Sequence, residues 1–132
     1  MTGENNPELS VVVPVFNERD NVAPLVHEIV MALRGRIPFE IVYVDDCSKD
    51  DSFAVLNGLM STTPELRVLK HTAQSGQSTA IRNGVKAARG AWIATLDGDG
   101  QNDLADIPKL LDAREQADRS LKLFAGWRVN RR

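Results

Sequence analysis

Three polar clusters stand where apolar runs stop, and their residue types suit the handling of phosphate and of a nucleotide. The most distinctive is Asp97-Gly98-Asp99-Gly100-Gln101, which follows the run Trp92 to Leu96. Two carboxylates spaced i, i+2 in a turn can face one metal ion, and Gly98 and Gly100 open backbone conformations closed to other residues. A divalent ion held this way keeps coordination positions free for phosphate oxygens. It would neutralise a diphosphate and stabilise it as a leaving group. A polar turn with an Asp capping the next helix is the competing explanation. Position after a buried strand counts against it, because turns rarely need two carboxylates and two glycines together. A calcium loop is excluded: its sixth position would be Asn102 instead of Gly and its twelfth Pro108 instead of Glu.

The second cluster is Asp45-Asp46-Cys47-Ser48-Lys49-Asp50-Asp51, after the run Phe39 to Val44. Asp45 and Asp46 suit acceptance of hydrogen bonds from a base or ribose. A solvated turn in which Asp50 or Asp51 caps the next helix accounts for them equally, and both roles can coexist. The third cluster, Asn17-Glu18, closes the run Leu9 to Val15 and in isolation reads as a helix start. Three acidic clusters on one edge would repel unless a cation or hydrogen-bond donors compensate. The segment Gln74-Ser75-Gly76-Gln77-Ser78-Thr79-Ala80 is no P-loop, since the second Gly and the Lys are absent. As a hydrolase nucleophile elbow it lacks the last Gly. It is expected to be a flexible edge of the site, with Ser78 as a helix cap.

These clusters need a scaffold that brings strand ends together. The expected strands are Leu9 to Val15, Phe39 to Val44, Leu66 to Lys70, Trp92 to Leu96 and Leu121 to Ala125. Between them fall amphipathic helices. The first, from about Asn21 to Leu33, places Val22, Leu25, Val26, Ile29, Val30 and Leu33 on one face. Pro24 falls in its first turn, and Gly35 follows as a stop. The second, Asp51 to Met60, turns Phe53, Leu56, Leu59 and Met60 inward. The third, Ser78 to Arg89, turns Ile81, Val85 and Ala88 inward, with Gly84 allowing close approach to the sheet. A fourth is expected over Ile107 to Asp118. Strands apolar on both faces, alternating with such helices, imply a mostly parallel sheet covered on both sides. Ligands bind such sheets beyond the carboxyl ends of the strands, which is where all three acidic clusters fall.

Composition bounds the rest. The chain has 132 residues, enough for one domain, with 42% hydrophobic and 26% charged residues and a formal net charge of −2. That balance lacks the basic surface nucleic acid requires; the only basic cluster is the short Arg128 to Arg132. The single cysteine, Cys47, excludes an internal disulfide and thiolate metal sites. His27 and His71 lack ligand-like spacing, so a metal would sit on oxygen ligands, as Mg²⁺ or Mn²⁺ does. The amino terminus reads as no signal peptide, no apolar run is membrane-length, and a cytoplasmic setting is expected.

Val13-Pro14-Val15-Phe16-Asn17-Glu18, then Val44-Asp45-Asp46-Cys47-Ser48-Lys49-Asp50, then Asp97-Gly98-Asp99-Gly100-Gln101 resemble the ordered motifs of family-2 glycosyltransferases of the GT-A fold. Among these, the dolichol- or polyprenyl-phosphate mannosyltransferase group is most similar. The likeness runs from about Leu9 to Arg128. It implies a Rossmann-like GT-A nucleotide-sugar-binding domain over residues 1–132, incomplete at its carboxyl end. It implies that Pro14, Phe16 and Glu18 line the nucleotide pocket, that Val44 and Asp46 contact the base, and that Gly98 belongs to the same site. Asp97, Asp99 and Gln101 would hold Mg²⁺ or Mn²⁺ and through it the diphosphate, which makes Asp97 and Asp99 the catalytic pair. Arg128 would meet phosphate on the acceptor side. The donor would be GDP-mannose or a UDP-sugar, transferred with inversion to a polyprenyl or dolichyl phosphate. A full-length relative would work at the cytoplasmic face of a membrane. Phe16 stands where Tyr is common and Leu104 where Pro is usual.

Two other classes compete. One is a haloacid-dehalogenase-like phosphatase with Asp97 as nucleophile and Asp99 as acid, although that motif belongs near a first strand. The other is a non-catalytic nucleotide-binding or interaction module, pairing through the exposed edge of the fifth strand. Oligomeric state is open.

Overall fold

The structure, a computed structural model, describes residues 7–96 and the backbone of 122–124 and 127–131. Its strands are β1 (Leu9–Val15), β2 (Phe39–Asp45), β3 (Leu66–Lys70), β4 (Trp92–Thr95), β5 (Lys122–Phe124) and β6 (Trp127–Arg131). Its helices are α1 (Arg19–Leu33), α2 (Ser52–Met60) and α3 (Gln77–Ala87). They form one sheet in the order β3-β2-β1-β4-β6-β5. The first four strands are mutually parallel, while β6 runs antiparallel to β4 and β5 antiparallel to β6. The chain thus moves outward from β1 to β3, then returns to the other side of β1. That reversal puts the switch point between β1 and β4, where open α/β sheets bind ligands.

β1 and β2 are buried along their whole length, as central parallel strands must be. Their alternate residues feed two cores. Leu9, Val11, Val13, Val15, Ile41 and Tyr43 pack with Val22, Leu25, Val26, Ile29 and Leu33 of α1 and Leu56 of α2. Val12, Val42, Val44 and Ile93 pack on the other face with Ala80 and Ala88. Each fully buried aliphatic side chain contributes roughly 1.5–3 kcal/mol relative to exposure.

The helices differ from expectation in instructive ways. α1 begins at Arg19, two residues early, because Glu18 and Arg19 are tied to the loop after β2 (below). Pro24 therefore lies in the second turn, past the N–H groups that need no partner. Gly35 does end the helix, at φ +86°. In α2, Phe53 is only half-buried and lies under Lys70, whose Nζ is 4.4 Å from the ring centroid. In α3 the fully buried positions are Ala80 and Gly84, not Ile81 and Val85, which are partly buried. The helix lies so close to the sheet that a Cβ on Gly84 would sit 2.5 Å from Val12 Cγ1 and 3.1 Å from Val44 Cγ2. Ser78 is inside α3; the N-cap position is Gly76, at φ +97°, with no side-chain cap bond.

The carboxyl-terminal part adds one strand that patterning missed. Trp127–Arg131 inserts between β4 and β5, leaving β5 at the sheet edge. Its alternation is weak, and only the ladder with β4 defines it. The expected helix over Ile107 to Asp118 lies outside the described residues.

Candidate nucleotide-binding site

The carboxyl ends of β1, β2 and β3 are joined by a network that neither loop could build alone. Asn17, at φ +54°, donates its backbone N–H to Ser48 Oγ (2.9 Å). Its Oδ1 accepts from the N–H groups of Lys49 (2.7 Å) and Asp50 (3.4 Å). Asn tolerates the left-handed region better than other side-chain-bearing residues. Glu18 N–H donates to Ser52 Oγ (3.0 Å), while Glu18 Oε1 accepts from Asn21 Nδ2 (2.7 Å). The second and third polar clusters therefore brace each other.

The adjacent carboxylates of the second cluster diverge. Asp45 Oδ1 accepts from Ser48 N–H (3.1 Å), and its buried Oδ2 has no partner among the described residues. Asp46 turns to the α3 side and holds the loop after β3. Its Oδ1 accepts from Ser75 N–H (2.8 Å) and contacts His71 Nδ1 (2.8 Å), and its Oδ2 accepts from Gly76 N–H (2.8 Å). Burial pushes the Asp46 carboxyl up, but the hydrogen bonds from His71, Ser75 and Gly76 outweigh it and hold it below the usual range. Asp50 behaves alike: burial raises it, and bonds from Ser52 N–H, Ser52 Oγ and Arg19 N–H bring it down. Helix capping thus falls to Asp50, one residue before the N-cap Asp51, whose side chain makes no cap bond and pairs with Arg19 at 3.3 Å. In this cluster hydrogen-bond donors, together with the Arg19 guanidinium at Asp51, compensate the negative charge.

The other expected site residues are placed as follows. Pro14 and Val44 are buried register partners in β1 and β2. Phe16 and Glu18, just beyond β1, are half-buried. Arg128 lies opposite Thr95 in the β4–β6 ladder, two positions before Asp97 in the chain. Asp97, Gly98, Asp99 and Gln101 lie outside the described residues. Among the described residues no group of three His, Cys, Asp or Glu side chains could hold a metal. The donor set Asp97, Asp99 and Gln101 is all oxygen, which fits a hard divalent ion. Sequence patterning overlooked His71, Asn83 and Ser48. Their partners lie 12 to 31 residues away, with no local signal. Two cavities, about 550 and 240 Å³, open at the opposite edge of the sheet around Phe39 and Glu65, away from this chemistry. No described helix is long and apolar enough to cross a membrane.

Known proteins resemble this chain in sequence and in fold. The family model described as "Glycosyl transferase family 2" matches residues 10–128. Dodecaprenyl-phosphate galacturonate synthase of Rhizobium johnstonii is 40% identical over 98% of this chain and 40% of its own length. Dolichol-phosphate mannosyltransferase of Pyrococcus furiosus is 38% identical over 80% of this chain and 30% of its own. The chain therefore spans well under half the length of these relatives. The mannosyltransferase PcManGT of Pyrobaculum calidifontis, solved with GDP-Man and Mn²⁺, superposes with a TM-score of 0.65 at 25% identity, over 71% of this chain and 28% of that one. S. aureus TarS (1-349) shares the fold at a TM-score of 0.73 and 20% identity, over 86% of this chain and 33% of that one. With ordered motifs, a parallel sheet of the GT-A kind and a match over nearly its whole length, this chain belongs to glycosyltransferase family 2.

Proposed function

We propose that the chain forms the donor-binding part of an enzyme that transfers a sugar from a nucleotide diphosphate to a polyprenyl or dolichyl phosphate, with inversion at the anomeric carbon. The observation that carries this is the Asp46 clamp at the carboxyl edge, in a chain 40% identical to a dodecaprenyl-phosphate sugar transferase. Family membership removes the haloacid-dehalogenase-like alternative.

Asp46 accepts a base N–H, with Val44 beneath it and Pro14, Phe16 and Glu18 along the remaining wall. Asp97, Asp99 and Gln101, with Gly98 between the carboxylates, would hold Mg²⁺ or Mn²⁺. Such an ion supplies positive charge that stabilises the departing diphosphate. The bond from the anomeric carbon to the diphosphate oxygen breaks as a bond to an acceptor phosphate oxygen forms. That acceptor is already an anion, so no strong general base is needed. Arg128, in the strand beside β4, is suited to hold the acceptor phosphate.

Titration calorimetry with UDP and GDP, with and without Mn²⁺, tests the proposal. Binding strengthened by Mn²⁺ and losing that dependence in Asp97→Ala and Asp99→Ala is expected. Absence of any nucleotide binding would sink it.

A further inference from the structure

Asp46 and His71 carry more information than a loop anchor requires. An ionised carboxylate offers about four acceptor positions. On Oδ1, His71 Nδ1 and Ser75 N–H occupy both; on Oδ2, Gly76 N–H occupies one. His71 is itself fixed: its Nε2 lies 2.9 Å from Asn83 Nδ2, in the second turn of α3. With Nδ1 donating to Asp46, the Nε2 lone pair of the neutral ring accepts from the Asn83 amide, so both ring nitrogens are satisfied. The side chains of Asp46 and His71 are 5% and 14% exposed, so the imidazole cannot be casually replaced by water.

We infer that His71, held by Asn83, is a specificity-determining positioning residue: it leaves Asp46 one acceptor and so selects a uracil over a guanine nucleotide. This rests on the nucleotide-binding proposal above and sharpens it. Uracil presents one N–H, at N3, between two carbonyl acceptors. Guanine presents two adjacent donors, N1–H and the N2 amino group, which call for both oxygens of a carboxylate. Here Oδ1 is already filled, so guanine would bury a donor without a partner.

Calorimetry of UDP and GDP at fixed Mn²⁺, on the wild-type chain and two variants, decides the matter. Wild type is expected to bind UDP about tenfold or more tightly than GDP, the ratio set by one unpaired buried donor. His71→Ala frees an Oδ1 position and should bring the two affinities within about threefold of each other, since guanine then gains its second acceptor. His71→Asn places an amide N–H near the former Nδ1 and should restore the preference. His71→Gln reaches toward Asn83 instead and should not. A wild type that binds GDP as well as UDP overturns the inference, as does a ratio unmoved by His71→Ala, while leaving nucleotide binding intact. A merely structural His71 would weaken both nucleotides in parallel, which also overturns it. A wild type that binds neither nucleotide brings down the functional proposal and this inference together.

Discussion

The two ends of the parallel sheet each bury a carboxylate, and the two are held by the same number of hydrogen bonds. At the amino edge Glu40 accepts from Ser10 Oγ (2.6 Å), Arg67 Nη1 (2.7 Å) and Arg89 N–H (2.7 Å). At the carboxyl edge Asp46 accepts from one side chain and two backbone amides. Both carboxyls are held below their usual range against the upward push of burial. The difference lies in the partners. Glu40 has a permanent cation, Arg67, and ties together β1, β3 and the exit of α3. Among the described residues Asp46 has no permanent cation, and its partners come from His71 and from Ser75 and Gly76 just before α3. A carboxylate with a built-in guanidinium closes a structure. One held by donors without a guanidinium, at the sheet edge proposed to bind the nucleotide, keeps a negative charge that a ligand donor can meet.

Glycines on the two edges show the same contrast and carry the largest expected effect. A Cβ on Gly90 would lie 2.7 Å from Ser10 N and 2.8 Å from Leu9 C, both backbone atoms that cannot yield. Gly90→Ala should therefore cost at least about 3 kcal/mol in urea unfolding. A Cβ on Gly76 would meet nothing within 4 Å, but φ is +97°. Gly76→Ala should cost only about 1–2 kcal/mol, from backbone strain, yet weaken nucleotide binding by moving an Asp46 donor. Equal stability losses at the two sites would break the comparison.

Glu40→Ala comes next. It strands the Ser10 hydroxyl, the Arg89 amide and a partly buried Arg67 guanidinium. A loss of about 2–3 kcal/mol is expected, with nucleotide affinity of the folded protein unchanged. Altered affinity would show that the amino edge communicates with the site.

Acid should weaken both edges together. Glu40 and Asp46 have folded values below their unfolded ones, so their contribution is complete above about pH 5 and is lost as pH falls through about 4 and below. Urea midpoints measured from pH 7 to pH 3 should decline in that window. In Glu40→Ala the decline should be shallower, because one of the linked carboxyls is gone.

The smallest effect sharpens the contrast from the protein interior. Tyr43 is fully buried, burial pushes its phenol up, and its hydroxyl has no partner among the described residues. Tyr43→Phe should leave stability unchanged or raise it by up to about 1 kcal/mol, read as a higher thermal midpoint. A loss larger than that would reveal a partner for the hydroxyl.

Elements with strong periodicity were legible in the chain. The four parallel strands and three intervening helices lie within about two residues of expectation, since period and burial agree there. The misses share one cause, which is distant contact. α1 starts early because Arg19 N–H reaches Asp50, and Ser78 is no cap because Asp46 already holds the amides before α3. β6 escaped notice because its evidence is a ladder to β4.

The sequence by itself determined the family and the strand ends after which its polar clusters stand. Those depend on ordered motifs and on apolar runs that local pattern encodes. Only the tertiary structure decided that Asp45 and Asp46 face opposite ways, that Asn17 splices two loops, and that His71 sits on Asp46. Hydrogen bonds between residues 12 to 32 positions apart exist only once the sheet has brought their loops together.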